Sequence, residues 1–172
     1  MIIIYPTETC YGLGCSAYDK ESIQKIYSLK NRDSNKPLIV LVDSIKMWKR
    51  IAKVSKKAEK LARKHWPGAL TIVQPKKKII PDELAKKEVG VRISPHQIPN
   101  KLIRELKAPL VSTSANLSGG ENPYSIDDIP LIIKKNADRI IDAKILEPNP
   151  PSTVVKVTKN NIEVLRDGSV KI

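Results

Sequence analysis

At 172 residues, 41% of them hydrophobic, the chain is long enough for one domain with a real core and is not disordered by composition. Aromatics are only 4% and Phe is absent, so the core must be built from Ile, Leu, Val and Ala. A formal net charge of +13, from 31 basic and 18 acidic residues, suits nucleic acid, nucleotides or an acidic surface.

No apolar run approaches the roughly 20 residues of a membrane span. No basic leader precedes MIIIYP, so the chain reads as soluble and cytoplasmic, without a membrane partner. Cys10 and Cys15 are too few for a disulfide framework, and with only His65 and His96 elsewhere a structural zinc site is disfavoured.

In chain order, Ile2 to Tyr5 predicts a buried strand that Pro6 ends. PTETCYGLG (6–14) follows. Gly12-Leu13-Gly14-Cys15-Ser16-Ala17 formally matches a dinucleotide-binding fingerprint, but that motif must open a helix directly after its strand. Here PTETCY intervenes and the next helix starts near Asp19 or Ser22, running to Lys30 with Ile23, Ile26 and Tyr27 on one face, so the match is rejected. KNRDSNKPL (30–38) places Lys30, Arg32 and Lys36 at a helix end and its loop. Cations there can simply complement the helix dipole, but three within seven residues can also clamp a triphosphate.

LIVLV (38–42) predicts a covered strand. Ser44 and Ser55 can each cap a short helix. The second carries Ala58, Leu61, Ala62 and His65 in register and stops at Trp66-Pro67-Gly68, which makes His65 a helix-end residue. Strands are expected at Leu70–Gln74 and Val89–Ile93, with a charged loop or short helix between them. Arg92 stands within the apolar VGVRISP. It either alternates out into solvent or lies in a cavity where its planar fork can hold a carboxylate.

A helix from about Ile98 to Leu106 leads to a strand, Pro109 to Ser112, with His96 in a Pro-flanked loop before it. LVSTSANLSGG (110–120) is rich in hydroxyls and carries no charge. It reads as a turn or as a cradle for nucleotide phosphates. A helix near Ile126 to Lys135, disturbed by Pro130, and strands near Arg139–Asp142, Thr153–Thr158 and Ile162–Arg166 complete the chain. Lys159-Asn160-Asn161 joins the last two as a hairpin, and EPNPPS (147–152) is a rigid loop. The order predicts one α/β domain, residues 1–172, with a twisted mixed β-sheet flanked by helices around a basic cavity. No Walker pattern, nucleophile elbow or zinc-protease motif occurs, so an enzyme of this sequence would work by positioning and electrostatics.

Taken in order, PTETCYGLG, KNRDSNKPL, WPGALTIV, VGVRIS, STSANLSG, PSTVV and LRDG resemble the YrdC/Sua5 family of threonylcarbamoyl-AMP synthases, and the resemblance covers nearly the whole chain. It implies a YrdC-like fold and a reaction of L-threonine, bicarbonate and ATP to threonylcarbamoyl-AMP and pyrophosphate, with Mg²⁺ accompanying ATP. A downstream tRNA threonylcarbamoyl transferase complex would then modify adenosine 37 of tRNA.

By matching position, the resemblance implies that Thr9, Arg92, Ser112 and Ser152 meet threonine, and that Lys30, Arg32, Lys36, Ser114, Asn116 and Arg166 meet ATP. No metal ligand and no general base are assigned. The chain departs from many members at Leu41, where some carry His, and at Ala69, where Pro is frequent. It is similar to the short, single-domain type rather than the long Sua5 form. Two other readings stand beside this one. The first is a basic RNA-binding module without catalysis, with direct tRNA or RNA contact. The second is a carbamoyl-adenylate-forming domain like that of hydrogenase maturation proteins.

Overall fold

The computed structural model describes residues 1–172. Its elements are β1 (Ile3–Pro6), β2 (Tyr11–Gly14), α1 (Lys20–Leu29), β3 (Ile39–Leu41), α2 (Ile45–Ile51), α3 (Lys56–His65), β4 (Leu70–Pro75), β5 (Glu88–Arg92), α4 (Gln97–Leu106), β6 (Leu110–Ser114), α5 (Leu131–Asn136), β7 (Arg139–Ile140), β8 (Thr153–Val157) and β9 (Ile162–Arg166).

All strands join one sheet in the order β7-β1-β2-β6-β3-β5-β4-β8-β9. The pairs β1–β7, β3–β5 and β4–β8 are parallel and the rest antiparallel, so the sheet is mixed as the sequence pattern predicts. Strand side chains alternate between faces, and the β1 residues divide accordingly. Ile2 and Ile4 pack with Ile23 and Ile26 of α1, Trp48 of α2 and Ala58 and Ala62 of α3 in the main core. Ile3 and Tyr5 meet Leu102 and Ile103 of α4, with Leu41 and Leu110, in a smaller second core. Leu41 is therefore a core residue.

The helix starts follow from their caps. The Asp19 carboxylate accepts from Ser22 N at 3.0 Å, Ser44 Oγ from Met47 N at 3.2 Å and Ser55 Oγ from Ala58 N at 3.1 Å, each satisfying an orphan donor of a first turn. Hydrogen bonds from Ser22, together with the N-terminal ammonium, hold the Asp19 carboxyl down at about 2. His96, expected in a loop, is the cap of α4: its Nδ1 accepts from Ile98 N at 3.2 Å. No helix is long and apolar enough to cross a membrane.

Four differences from the sequence reading concern element bounds. YGLG forms a strand, β2, which two glycines had obscured. A Cβ on Gly14 would lie 1.9 Å from Val111 O, and one on Gly12 3.2 Å from the Tyr5 ring. Gly14 thus lets β2 approach the backbone of β6, and Gly12 leaves room for the Tyr5 ring. β6 runs on through Ser114, so STS is strand and only the residues after it turn. α5 starts at Leu131 rather than Ile126. Pro130 presets the entry angle, and Asp128 Oδ2 accepts from Tyr124 N (2.9 Å) and Ser125 N (2.8 Å), which closes a turn where helix was expected. β7 is only two residues long.

Candidate functional site

Residues of the central strands and the adjoining loops line a cleft of about 170 Å³. Register accounts for the gathering. Gly12 of β2 pairs with Ser114 of β6, Ser112 of β6 with Ile39 of β3, and Leu41 of β3 with Arg92 of β5. Across the sheet, Leu70 of β4 pairs with Thr153, which brings the preceding Ser152 alongside, and Val154 pairs with Arg166 of β9. The loop after α1 supplies Arg32, Pro37 and Leu38.

Seven of the residues singled out by sequence line this cleft together: Thr9, Arg32, Arg92, Ser112, Ser114, Ser152 and Arg166. Between the arginines the wall is neutral and rich in hydroxyls. Thr9 and Thr7 hydroxyls lie 3.0 Å apart, and Thr7 Oγ1 donates to Cys10 O at 2.8 Å. Ser152 and Thr71 hydroxyls are also 3.0 Å apart. Arg166 is fixed by Ser152, donating from Nε (3.1 Å) and Nη2 (2.7 Å) to its carbonyl and from Nη2 to Oγ at 2.9 Å. Arg32 is held by its own loop, through Lys36 O at 3.0 Å and Pro37 O at 3.3 Å. Burial, and then the neighbouring charge of Arg32, pull Arg166 below the usual arginine range. No ion pair neutralises either arginine, so the two bring uncompensated positive charge to the cleft.

Three expected site residues lie off the lining, and two of them form a support. Lys30 is 1% exposed. Its ammonium donates to Ser114 O (2.6 Å), Asn116 O (2.6 Å) and Asn116 Oδ1 (3.0 Å), which engages all three donors. The Asn116 amide in turn donates to Gly120 O (2.6 Å) and Glu121 O (2.9 Å), while its Oδ1 also accepts from Ser114 Oγ at 2.7 Å. Together Lys30 and Asn116 brace the STSAN turn from behind. Burial, and the charge of Arg32, lower the Lys30 ammonium to about 8. The third, Lys36, is an exposed side chain beside the mouth.

Arg92 is 3% exposed and faces Glu8, with which it forms an ion pair. Burial pulls its guanidinium down to about 10, so it remains charged at neutral pH. Ser94 Oγ donates to the second Glu8 oxygen at 2.5 Å. Glu8 was not singled out by sequence, although it lies inside PTET, because its partners are far along the chain. Asn122 also lines the cleft without any local signal.

The lining holds no histidine and no carboxylate. Cys10 is present, but burial pushes its thiol up and so disfavours the nucleophilic thiolate. No group of three or more His, Cys, Asp or Glu side chains is placed to hold a metal. The arrangement can bind a ligand that carries anionic groups together with hydrogen-bonding groups.

Comparisons with known proteins place the chain in a family. The family described as Sua5/YciO/YrdC, telomere recombination, matches residues 1–168. A relative from Methanocaldococcus jannaschii is 38% identical over 172 residues, covering 99% of this chain and 81% of the relative. A threonylcarbamoyl-AMP synthase of Pyrococcus abyssi is 33% identical over 174 residues, covering 99% of this chain and 51% of that protein. The crystal structure of P. abyssi Sua5 complexed with L-threonine superposes with a TM-score of 0.89 at 34% identity, over 97% of this chain and 50% of that one. This chain thus spans most of the first relative and about half of the second.

Proposed function

The chain belongs to the Sua5/YciO/YrdC family, and we propose that it is an L-threonylcarbamoyladenylate synthase, condensing L-threonine, bicarbonate and ATP to threonylcarbamoyl-AMP and pyrophosphate. The observation that carries this reading is the make-up of the cleft: three arginines, Arg32, Arg92 and Arg166, set in an uncharged, hydroxyl-rich wall without a carboxylate. An amino-acid carboxylate and a nucleoside triphosphate supply the anions that such a site needs.

In this reading Arg92 takes the threonine carboxylate, with Thr9, Ser112 and Ser152 around the rest of the amino acid. Arg32, Arg166 and Ser114 meet the nucleotide, and the exposed Lys36 extends the same positive field over the triphosphate. Lys30 and Asn116 act by holding the STSAN turn in place. Mg²⁺ enters as MgATP, since the lining offers the ion no carboxylate.

The threonine amine joins bicarbonate to give a carbamate, losing water. A carbamate oxygen then attacks the α-phosphorus and pyrophosphate leaves. Negative charge grows on the phosphate oxygens, and the two arginines stabilise it without reorganising. A neutral wall beside the reacting centre would shelter the labile carbamate from bulk water. The product would pass to a tRNA-modifying transferase that places the threonylcarbamoyl group on adenosine. Pyrophosphate release from ATP should require both threonine and bicarbonate. Equal release without threonine would identify an ordinary ATPase and overturn the reading.

A further inference from the structure

Glu8 lies between Thr7 and Thr9, both in the cleft wall, yet Glu8 itself is not part of that wall. Its Oε2 accepts from Ser94 Oγ at 2.5 Å, and its Oε1, sealed from solvent, meets Nη1 of Arg92. Ser94 is anchored in turn to the start of α4. Its hydroxyl accepts from His96 N at 3.1 Å, and its carbonyl accepts from Asn100 Nδ2 at 3.2 Å. Around the guanidinium, Nε and Nη1 are sealed and neither makes a hydrogen bond, so Glu8 holds Nη1 as an ion pair. Nη2 is the nitrogen left open, and Arg92 belongs to the cleft lining.

We propose that Glu8 is a positioning residue for the amino-acid substrate: it holds Arg92 at Nη1, on an anchor provided by Ser94 and α4, and so aims Nη2 at the substrate carboxylate. This rests on reading Arg92 as the carboxylate anchor. Two physical points favour it over a competing role in which Glu8 occupies the substrate's place. A competitor would have to sit in the cleft, and Glu8 is not among the residues that line it. A buried guanidinium also needs an anion when the cleft is empty, and Glu8 supplies one without filling the site. An incoming amino acid brings its own ammonium, so its carboxylate adds no net negative charge beside Glu8. The two roles predict opposite signs. Removing a competitor tightens substrate binding, whereas removing a positioning group weakens it.

Calorimetry with L-threonine, with L-threoninol (which lacks the carboxylate) and with ATP separates these cases in the wild type, Glu8→Gln and Ser94→Ala. Glu8→Gln should weaken threonine binding about tenfold, because a misaimed anchor loses much of its bond. Ser94→Ala should weaken it less. Threoninol and ATP should bind both variants as they bind the wild type. Threonine binding at or above wild-type strength in either variant would overturn the proposal, as would equal losses for all three ligands, which mark a merely structural residue. If Glu8→Gln does not fold, Ser94→Ala decides alone. A wild type that binds threonine and threoninol equally well would instead overturn the reading of Arg92 itself, whatever Glu8 does.

Discussion

A guanidinium buried in a strand among Val89, Val91 and Ile93 would be costly without an anion, and Arg92 has one in Glu8. Lysine would keep the charge but lose the planar fork that meets Glu8 on one side and the cleft on the other. Arg92→Lys should therefore lower kcat/KM for threonine by roughly ten- to hundredfold, the equivalent of losing a charge-assisted bond of about 1.5–3 kcal/mol, and leave KM for ATP unchanged. Arg32 provides the contrast. It is held only by carbonyls of its own loop, so Arg32→Ala should weaken ATP binding in calorimetry and move the melting temperature little. An unaltered ATP affinity would reduce this loop to solvated surface.

Lys30 makes a prediction in pH. Its folded value of about 8 lies below the ordinary 10.5, so between these values the unfolded chain holds a proton that the folded chain has released. Wild-type stability should then rise with pH across that window relative to Lys30→Met, and the difference should level off below about pH 8. Chemical denaturation at several pH values checks the slope. A slope of opposite sign would mean that the three acceptors around the ammonium outweigh its burial.

These residues also mark what sequence could and could not show. A charge inside an apolar strand is conspicuous, and Arg92 stood out for that reason. A lysine at a helix end reads the same whether it is exposed or, like Lys30, buried with every donor engaged. Glu8 was invisible because its role depends on two residues brought alongside only by the sheet.

At the scale of elements, the caps were legible, since Asp19, Ser44 and Ser55 announce helix starts by side-chain chemistry alone. β2 was not, because its reason for being a strand lies in a neighbour. Gly14 gives β2 its close approach to Val111 of β6, where a Cβ would meet the carbonyl oxygen at 1.9 Å. Gly14→Ala must push β2 away from β6 and should cost at least about 2 kcal/mol in urea denaturation. The same shift would disturb the wall that carries Gly12 and Ser114, so ATP binding should fall together with stability. An alanine variant as stable as the wild type would show that the two strands have slack. α5 was misread for a related reason. The Asp128 turn competes locally with the helix, and Pro130 decides in favour of the turn.

Over the whole molecule, the α/β class and mixed sheet were readable from the order of elements. The cleft was not, because it depends on nonconsecutive strands, β2, β6, β3 and β5, lying side by side. That order gathers Arg32, Arg92 and Arg166 in one otherwise neutral wall. The net charge of +13 adds a diffuse attraction for polyanionic ligands, but the arginines without acidic partners give it a focus. Mass spectrometry of the products formed from ATP, L-threonine and labelled bicarbonate tests the central claim most directly. The account predicts a threonylcarbamoyl-AMP ion carrying the bicarbonate label, absent when threonine is withheld and reduced in Arg92→Lys. Unlabelled adenylate or ADP as the sole nucleotide product would contradict it.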